Sequence, residues 1–167
     1  MAHATPFVLY ARFSNTSSLE RFLFFLEEDT RPSFPDEVEP DEVRWVEHFE
    51  FLAYPWELTR LDNAVLVEFG DPHEEEDLHD DIAPMMEGAA GLGADQVLVY
   101  WSYEGEGVFE RWSDGANEIL WAMDDDEAEE DGVGRPDLLD EPLREQLRDV
   151  LEDAPGKALL RMAQALS

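Results

Sequence analysis

The densest group of side chains that could hold a metal ion lies between His73 and Asp81. This stretch reads His-Glu-Glu-Glu-Asp-Leu-His-Asp-Asp, and imidazole and carboxylate groups are common ligands of zinc. On a helix, Glu75 and His79 would share one face because they are four residues apart. The zincin pattern His-Glu-x-x-His fails, since Asp77 stands where the second histidine is needed. We therefore predict an acidic loop, with Glu75 and His79 as weak candidate metal ligands.

A second acidic run, Asp124 to Gly132, has a superficial likeness to a calcium-binding loop. An EF-hand needs glycine at its sixth position and glutamate at its twelfth. Counted from Asp124, these positions hold Glu129 and Arg135, so the motif is absent. Blocks of like charge usually stay solvated. We predict a charged loop here and assign no metal or cofactor to the chain.

Catalytic motifs are also missing from the sequence. There is no cysteine, which excludes a thiol nucleophile, and no G-x-S-x-G, P-loop or G-x-G-x-x-G pattern occurs. Glu47 and Glu68 interrupt apolar strand patterns and could serve as acid–base pairs, although such residues more often face solvent. His48 has no evident partner acid or nucleophile. We assign no catalytic residue and expect a non-enzymatic protein.

The elements that must position any site are clearest in the middle of the chain. Residues 97–104 alternate in a period of two and are rich in valine and aromatic residues, which is typical of a strand. Residues 105–107 and 113–115 are turn signals because they contain glycine. Val108–Trp112 and Asn117–Met123 continue the pattern as two further strands. We predict an antiparallel three-stranded meander.

The meander carries three of the five tryptophans, Trp101, Trp112 and Trp121. They could form a protein-binding platform, because tryptophan is a preferred interface anchor. Large aromatic residues are mostly buried, and we predict that at least two of the three belong to the core. A nucleic-acid stacking platform needs basic flanks, whereas the flanking charges here are acidic.

The remaining periodicities predict strands and helices on both sides of the meander. Strands are expected at Phe7–Phe13, Val43–Ala53 and Asn63–Phe69. Helices are expected after a capping box at Ser17-x-x-Glu20 and across Ile82–Leu92. Two more helices are predicted near the end of the chain, one capped by Asp140 and one after Pro155-Gly156.

This order of elements indicates an α+β fold. We predict a mostly antiparallel sheet of five to six strands, covered by two helices and joined by a C-terminal αα-hairpin. A ferredoxin-like core is compatible with the first six elements. Residues 1–135 would form the sheet domain and residues 136–167 the docked hairpin, with both parts in one domain overall.

Charge is the strongest constraint on function. The chain has 42 acidic and 11 basic residues among 167, a formal net charge of −31. Direct binding to nucleic acid or to an anionic membrane is excluded, because both need a basic surface. No apolar run approaches the length of a membrane span, and the pattern of the first residues predicts no secretory signal. We expect a cytoplasmic protein.

We hypothesise that the chain is an acidic interaction protein. It would bind, and inhibit, a basic partner such as a nuclease or another nucleic-acid-acting protein, as immunity proteins, antitoxins and nucleic-acid mimics do. The acids that we expect to contact this partner lie in three groups. They are Asp71, Glu74, Glu75, Glu76, Asp77, Asp80 and Asp81; Glu104, Glu106 and Glu110; and Asp124, Asp125, Asp126, Glu127, Glu129 and Glu130.

A halophile-type salt adaptation is the alternative. Only one of the 11 bases is a lysine, Lys157, and replacement of lysine by acids keeps proteins soluble in molar salt. The activity would then be unknown and an enzyme would remain open. A domain that binds divalent ions is a third alternative.

Overall fold

The computed structural model describes residues 7–26, 56–69, 86–103, 106–113, 115–124, 138–151 and 154–166. Within these residues there are six strands. They are β1 (Phe7–Phe13), β2 (Trp56–Leu61), β3 (Ala64–Phe69), β4 (Ala94–Tyr103), β5 (Glu106–Ser113) and β6 (Ala116–Asp124).

All six strands belong to one sheet, in the order β2-β3-β1-β4-β5-β6. Every neighbouring pair is antiparallel, so the predicted α+β class with an antiparallel sheet is confirmed. The predicted meander is β4-β5-β6. The order β2-β3-β1-β4 is compatible with a ferredoxin-like core, because β3 separates β2 from β1 as in a split β-α-β unit.

The strand β2 was not predicted from the sequence. The predicted strand Val43–Ala53 lies outside the described residues and stays a prediction, whereas β2 begins at Trp56. β2 is an edge strand with Thr59 and Arg60 exposed, so its sequence shows little alternation. The turn to β3 is Asp62-Asn63, with Asp62 at φ 49°. Both residue types tolerate the left-handed backbone that a two-residue hairpin needs.

Helices cover both faces of this sheet. They are α1 (Thr16–Leu26), α2 (residues 86–91), α3 (Glu141–Leu151) and α4 (Pro155–Leu166). The C-terminal helix pair is therefore confirmed. The proposed division after residue 135 stays a prediction, since residues 125–137 lie outside the described part. None of the described helices is long and apolar enough to cross a membrane.

The caps of the helices explain where two of them begin. Asn15 caps α1, because its Oδ1 accepts the backbone N–H of Ser18 at 2.8 Å. The predicted capping box at Ser17 was therefore two residues late, since Ser17 already lies inside the helix. The predicted cap at Asp140 is confirmed, with its Oδ1 accepting the N–H of Leu143 at 3.1 Å. Each such cap stabilises a helix by about 1 kcal/mol.

Two apolar layers flank the sheet. The α1 face, as we name the side covered by α1 and α2, buries Leu9, Phe13 and Val99 against Phe22 and other helical residues. The α4 face, covered by α3 and α4, buries a second cluster that includes Tyr100, Phe109, Trp121, Leu147 and Leu159. Burial of each large side chain contributes about 1.5–3 kcal/mol. The sheet is thus the middle layer of three.

Gly107 has a packing role rather than the turn role that we predicted. It lies within β5, opposite Ser102. A Cβ atom at this position would lie 2.7 Å from the Tyr100 hydroxyl oxygen. Glycine therefore makes room for the Tyr100 ring, whose centroid lies 4.7 Å from that of Phe109.

Candidate functional site

A buried carboxylate lies at the centre of the meander. Glu110 in β5 is only 5% exposed. One of its oxygens accepts the indole N–H of Trp101 at 2.6 Å, and the other accepts the side-chain N–H of Asn117 at 2.6 Å. Both donors are neutral groups, and both distances are short for N–H···O hydrogen bonds.

The strand registers explain why these three side chains meet. Glu110 stands opposite Val99 in β4 and Ile119 in β6, which places it on the α1 face. Trp101 and Asn117 are its diagonal neighbours, one in each flanking strand, and such diagonals are within reach of long side chains. A register shift between Phe109 and Glu110 adjusts the pairing with β6. Glu110 therefore joins three strands of the sheet.

This arrangement restricts what Glu110 can do. Its carboxylate is held inside the chain and cannot meet a basic surface in this conformation, so we remove it from the partner-binding set. Among the described residues no group of three or more His, Cys, Asp or Glu side chains is arranged to hold a metal ion. The Glu110 cluster is best explained as a set of side-chain hydrogen bonds that connects β4, β5 and β6.

Trp121 forms a second unusual cluster, on the α4 face. It is fully buried, and its ring is stacked on that of Phe109 with centroids 6.0 Å apart. The guanidinium groups of Arg144 and Arg148 lie 5.9 and 5.2 Å from its centroid. Both distances are within the range of a cation–π interaction.

The two arginines come from α3, where they lie between the apolar face of the helix and a row of acids. Leu147 is buried between them. Glu141, Glu145 and Asp149, spaced four residues apart, are all exposed and therefore lie along one outer side of the helix. We call these three residues the α3 ridge. Sequence reasoning missed this ridge because it looked for dense acidic runs rather than for acids at helical spacing.

Most of the predicted partner-binding acids lie outside the described residues. Glu106 and Asp124 are at strand ends, and the positions of their side chains are not among those described. The predicted partner-binding acids that lie outside the described residues are Asp71, Glu74, Glu75, Glu76, Asp77, Asp80, Asp81, Glu104, Asp125, Asp126, Glu127, Glu129 and Glu130. The weak metal candidate His79 is among the undescribed residues as well.

The other residues singled out from the sequence have mixed positions. Trp121 is in the core, whereas Trp101 and Trp112 are half-buried against the α1-face cluster, so the prediction of at least two core tryptophans holds fully for Trp121 alone. Glu47 and His48 lie outside the described residues. Glu68 is half-buried on the α4 face, and its carboxylate lies so close to Gly156 that a Cβ atom there would collide with it.

A cleft at one end of the sheet brings together polar residues that sequence reasoning missed. It has a volume of about 220 Å³ and is lined by Arg12, Gln96, Arg111 and Leu166 among others. A neighbouring cleft of about 390 Å³ shares Arg12 and also contains Tyr10. Burial raises the pKa of the Tyr10 hydroxyl, which Arg12 opposes and Asp95 supports. These residues come from β1, β4, β5 and α4, which are far apart in the sequence, so no local motif could have indicated them.

Comparison with known proteins adds no relative. A scan against models of protein families, a search of curated proteins and a search of solved structures each found no match.

Proposed function

We propose that the chain is a non-enzymatic, acidic protein–protein interaction domain of the cytoplasm. It binds a basic protein and blocks the partner's positively charged site, as an inhibitor of a nuclease or another nucleic-acid-acting protein would. The observation that carries this proposal is the polarity of α3. Its two arginines face Trp121, while the three acids of the α3 ridge face outwards.

The distribution of charge along the chain supports the same proposal. The described residues contain 14 of the 42 acids and eight of the 11 bases, a formal charge of −6. The rest of the chain has 28 acids and three bases, a formal charge of −25. The acids expected to contact the partner are concentrated in that remainder. A charge so uneven would accelerate association with a positive cleft.

The α3 ridge has both unfavourable and favourable effects on the helix itself. Like charges four residues apart destabilise a helix by about 0.2–0.5 kcal/mol per pair, and Asp149 lies in the last turn, where the helix dipole disfavours an acid. Glu141 and Glu145 also precede Arg144 and Arg148 by three residues, a spacing at which opposite charges attract. The support for a basic partner is therefore the exposure of the three acids along one side of the helix.

The halophile-type interpretation offers a second explanation of the same acids. It draws on the ratio of one lysine to ten arginines. The two explanations differ in the salt concentration at which the chain is stable. Screening of surface repulsion is largely complete at about 0.1–0.3 M salt, where the Debye length is below about 10 Å.

Thermal melts by circular dichroism from low salt to about 3 M KCl separate these explanations. If the chain is an interaction domain adapted to ordinary salt, its Tm levels off by about 0.3 M. A chain that stays unfolded until molar KCl, and continues to gain stability there, would favour salt adaptation and remove the main support for a partner.

Binding is tested with a panel of basic ribonucleases and deoxyribonucleases, by measuring inhibition and association rates. We expect inhibition that weakens as salt rises, since electrostatic steering is screened. The triple variant E141Q/E145Q/D149N removes the α3 ridge and should lower the association rate at least about threefold. The control E20Q/D62N/D95N removes the same number of exposed negative charges elsewhere, two of them from surface ion pairs with Arg60 and Arg12.

Equal effects of the two triple variants would show that net charge, and not the ridge, governs association. A further variant that neutralises the acids of residues 124–130 tests the larger acidic run in the same assay. If no nuclease in the panel is inhibited and none binds, the inhibitor proposal is wrong.

A further inference from the structure

The cleft of about 390 Å³ is lined by β1, by the turn that joins β2 to β3, and by α4. It combines an aliphatic wall with the hydroxyl group of Tyr10. We propose that this cleft binds an uncharged small molecule that has an apolar ring and a carbonyl oxygen, independently of any protein partner. The ring would lie on the aliphatic wall, and the carbonyl oxygen would accept a hydrogen bond from the Tyr10 hydroxyl.

The hydroxyl of Tyr10 has no partner although its side chain is more than nine-tenths buried. Tyr10 is 7% exposed and its ring belongs to the α4-face cluster. The hydroxyl makes no hydrogen bond with any of the described residues. Its oxygen is not fully enclosed, in contrast to the unpaired Oε1 of Gln96. Because Tyr10 lines the cleft, a ligand there can reach this hydroxyl.

The protonation state of Tyr10 favours an acceptor on the ligand. Burial raises the pKa of the hydroxyl, which Arg12 opposes and Asp95 supports. The hydroxyl is therefore protonated at neutral pH and can donate its hydrogen. Arg12 lines the same cleft, and a guanidinium group has donors but no acceptor. A carbonyl oxygen suits both groups.

The rest of the cleft favours an apolar ring. Leu61, Ala64 and Leu160 contribute aliphatic side chains to its lining. Leu61 and Leu160 pack against the α4-face cluster but are only partly buried, so part of each side chain can contact a ligand. An apolar lining with a few polar groups is the usual composition of a small-molecule site.

The charges around the cleft select an uncharged ligand. Arg12 is already paired with Asp95 at 3.0 Å, so it offers no unbalanced positive charge. Asp62, which is exposed at the same cleft, and the net charge of −31 repel an anion. A cationic ligand without an acceptor would leave the Tyr10 hydroxyl unpaired. An uncharged carbonyl compound avoids both penalties.

The size of the cleft suits one substituted ring. A cavity of about 150 Å³ holds a benzene molecule, so about 390 Å³ accommodates a ring with a short polar substituent. The binding energy available to a ligand is limited by its number of heavy atoms. We expect a dissociation constant on the order of 1 mM for such small probes.

The experiment is an NMR titration of the full chain, labelled with ¹⁵N and with ¹³C in its alanine and leucine methyl groups. The probes are benzamide and acetophenone. The readouts are the methyl signals of Ala64 and Leu160 and the side-chain amide signals of Asn63. We expect saturable shifts of these signals, while the methyl signals of Leu19, buried on the α1 face, stay unchanged.

The role of the Tyr10 hydroxyl is tested with the variant Y10F, which keeps the ring. It should weaken the binding of acetophenone about three- to tenfold, the effect of one hydrogen bond. The binding of toluene, which has no acceptor, should not change. The control Y100F removes another hydroxyl from a tyrosine buried on the same face. Tyr100 does not line the cleft, so Y100F should change the binding of neither probe.

The preference for an uncharged ligand is tested in the unaltered protein with two charged relatives of benzamide. Benzoate carries a negative charge, and benzylammonium carries a positive charge and has no acceptor. Each should bind at least about tenfold more weakly than benzamide, because the first is repelled and the second leaves the hydroxyl unpaired.

Three outcomes would overturn the proposal. One is the absence of saturable shifts with both carbonyl probes up to about 20 mM, well above the expected dissociation constant. Another is an equal effect of Y10F on acetophenone and toluene, which would show that the hydroxyl does not contact the ligand. The third is binding of either charged relative as tight as that of benzamide. None of these outcomes bears on nuclease inhibition.

Discussion

The two faces of the β5–β6 hairpin bury opposite charges in different ways. On the α1 face, Glu110 is held by two short hydrogen bonds from neutral donors. On the α4 face, Arg144 and Arg148 lie over the ring of Trp121. A hydrogen bond is lost with a small change in angle or distance, whereas a cation–π interaction is broad and electrostatic. The stability of the α1 face therefore depends on the positions of a few hydrogen-bonding atoms around Glu110. The stability of the α4 face depends on the presence of the Trp121 ring.

The largest expected effect is that of removing this ring. Trp121→Ala removes a fully buried side chain and its stacking on Phe109. It also removes the ring over which Arg144 and Arg148 lie. We expect a loss of about 3–5 kcal/mol in the free energy of unfolding, measured by urea denaturation at fixed salt. Trp112→Ala, on the other face and only half-buried, is the control and should cost clearly less. Equal losses would contradict the central role of Trp121.

The next largest effect is expected from substitutions of Glu110, which test how far the stability of the α1 face depends on its two hydrogen bonds. Glu110→Leu leaves the Trp101 and Asn117 donors without their acceptor, and should cost about 1–3 kcal/mol. Glu110→Gln should cost less, because the exposed Asn117 amide can rotate and offer its oxygen. Glu118→Gln, which breaks a partly exposed pair with Arg111, should cost about 1 kcal/mol or less. Urea denaturation of the three variants measures this order, and a reversed order would show that Glu110 is not held as described.

The same contrast explains what could be predicted from the sequence. The meander was predicted because glycine-containing turns separate alternating strands, and the Asp140 cap was predicted from its neighbours along the chain. These are local signals. β2 was missed because an edge strand with exposed Thr59 and Arg60 has little alternation. The cleft at Arg12 was missed because strand pairing, and not sequence proximity, brings its residues together.

The prediction that Glu110 contacts a partner is wrong for this structure, because its side chain is buried. It lies between Val108 and Trp112 at the same strand period, which is the pattern that drew attention to Glu47 and Glu68. Applied to the meander, this pattern would have placed Glu110 on an apolar face. Glu110 is instead predicted above as a partner-binding acid, together with Glu104 and Glu106. Strand periodicity is the better guide for an acid within a sheet.

The smallest effect concerns the electrostatic part of the Trp121 cluster. Arg148→Met keeps the aliphatic length of the side chain and removes its charge, so it should cost about 0.5–2 kcal/mol. Tryptophan binds a cation more strongly than phenylalanine does. The same substitution made on a Trp121→Phe background should therefore cost less. A double-mutant cycle by urea denaturation measures this coupling.

The salt dependence of the coupling energy shows whether Arg148 acts through the Trp121 ring. The ring of Trp121 is fully buried, and buried interactions are screened much less than exposed ones. The coupling between Arg148 and Trp121 should therefore survive at about 0.5 M KCl, whereas the repulsion along the α3 ridge should be largely screened. A coupling that disappears with salt would mean that Arg148 acts by offsetting nearby acids, and not through the ring. The inward arginines and the outward acids of α3 would then be parts of one surface network.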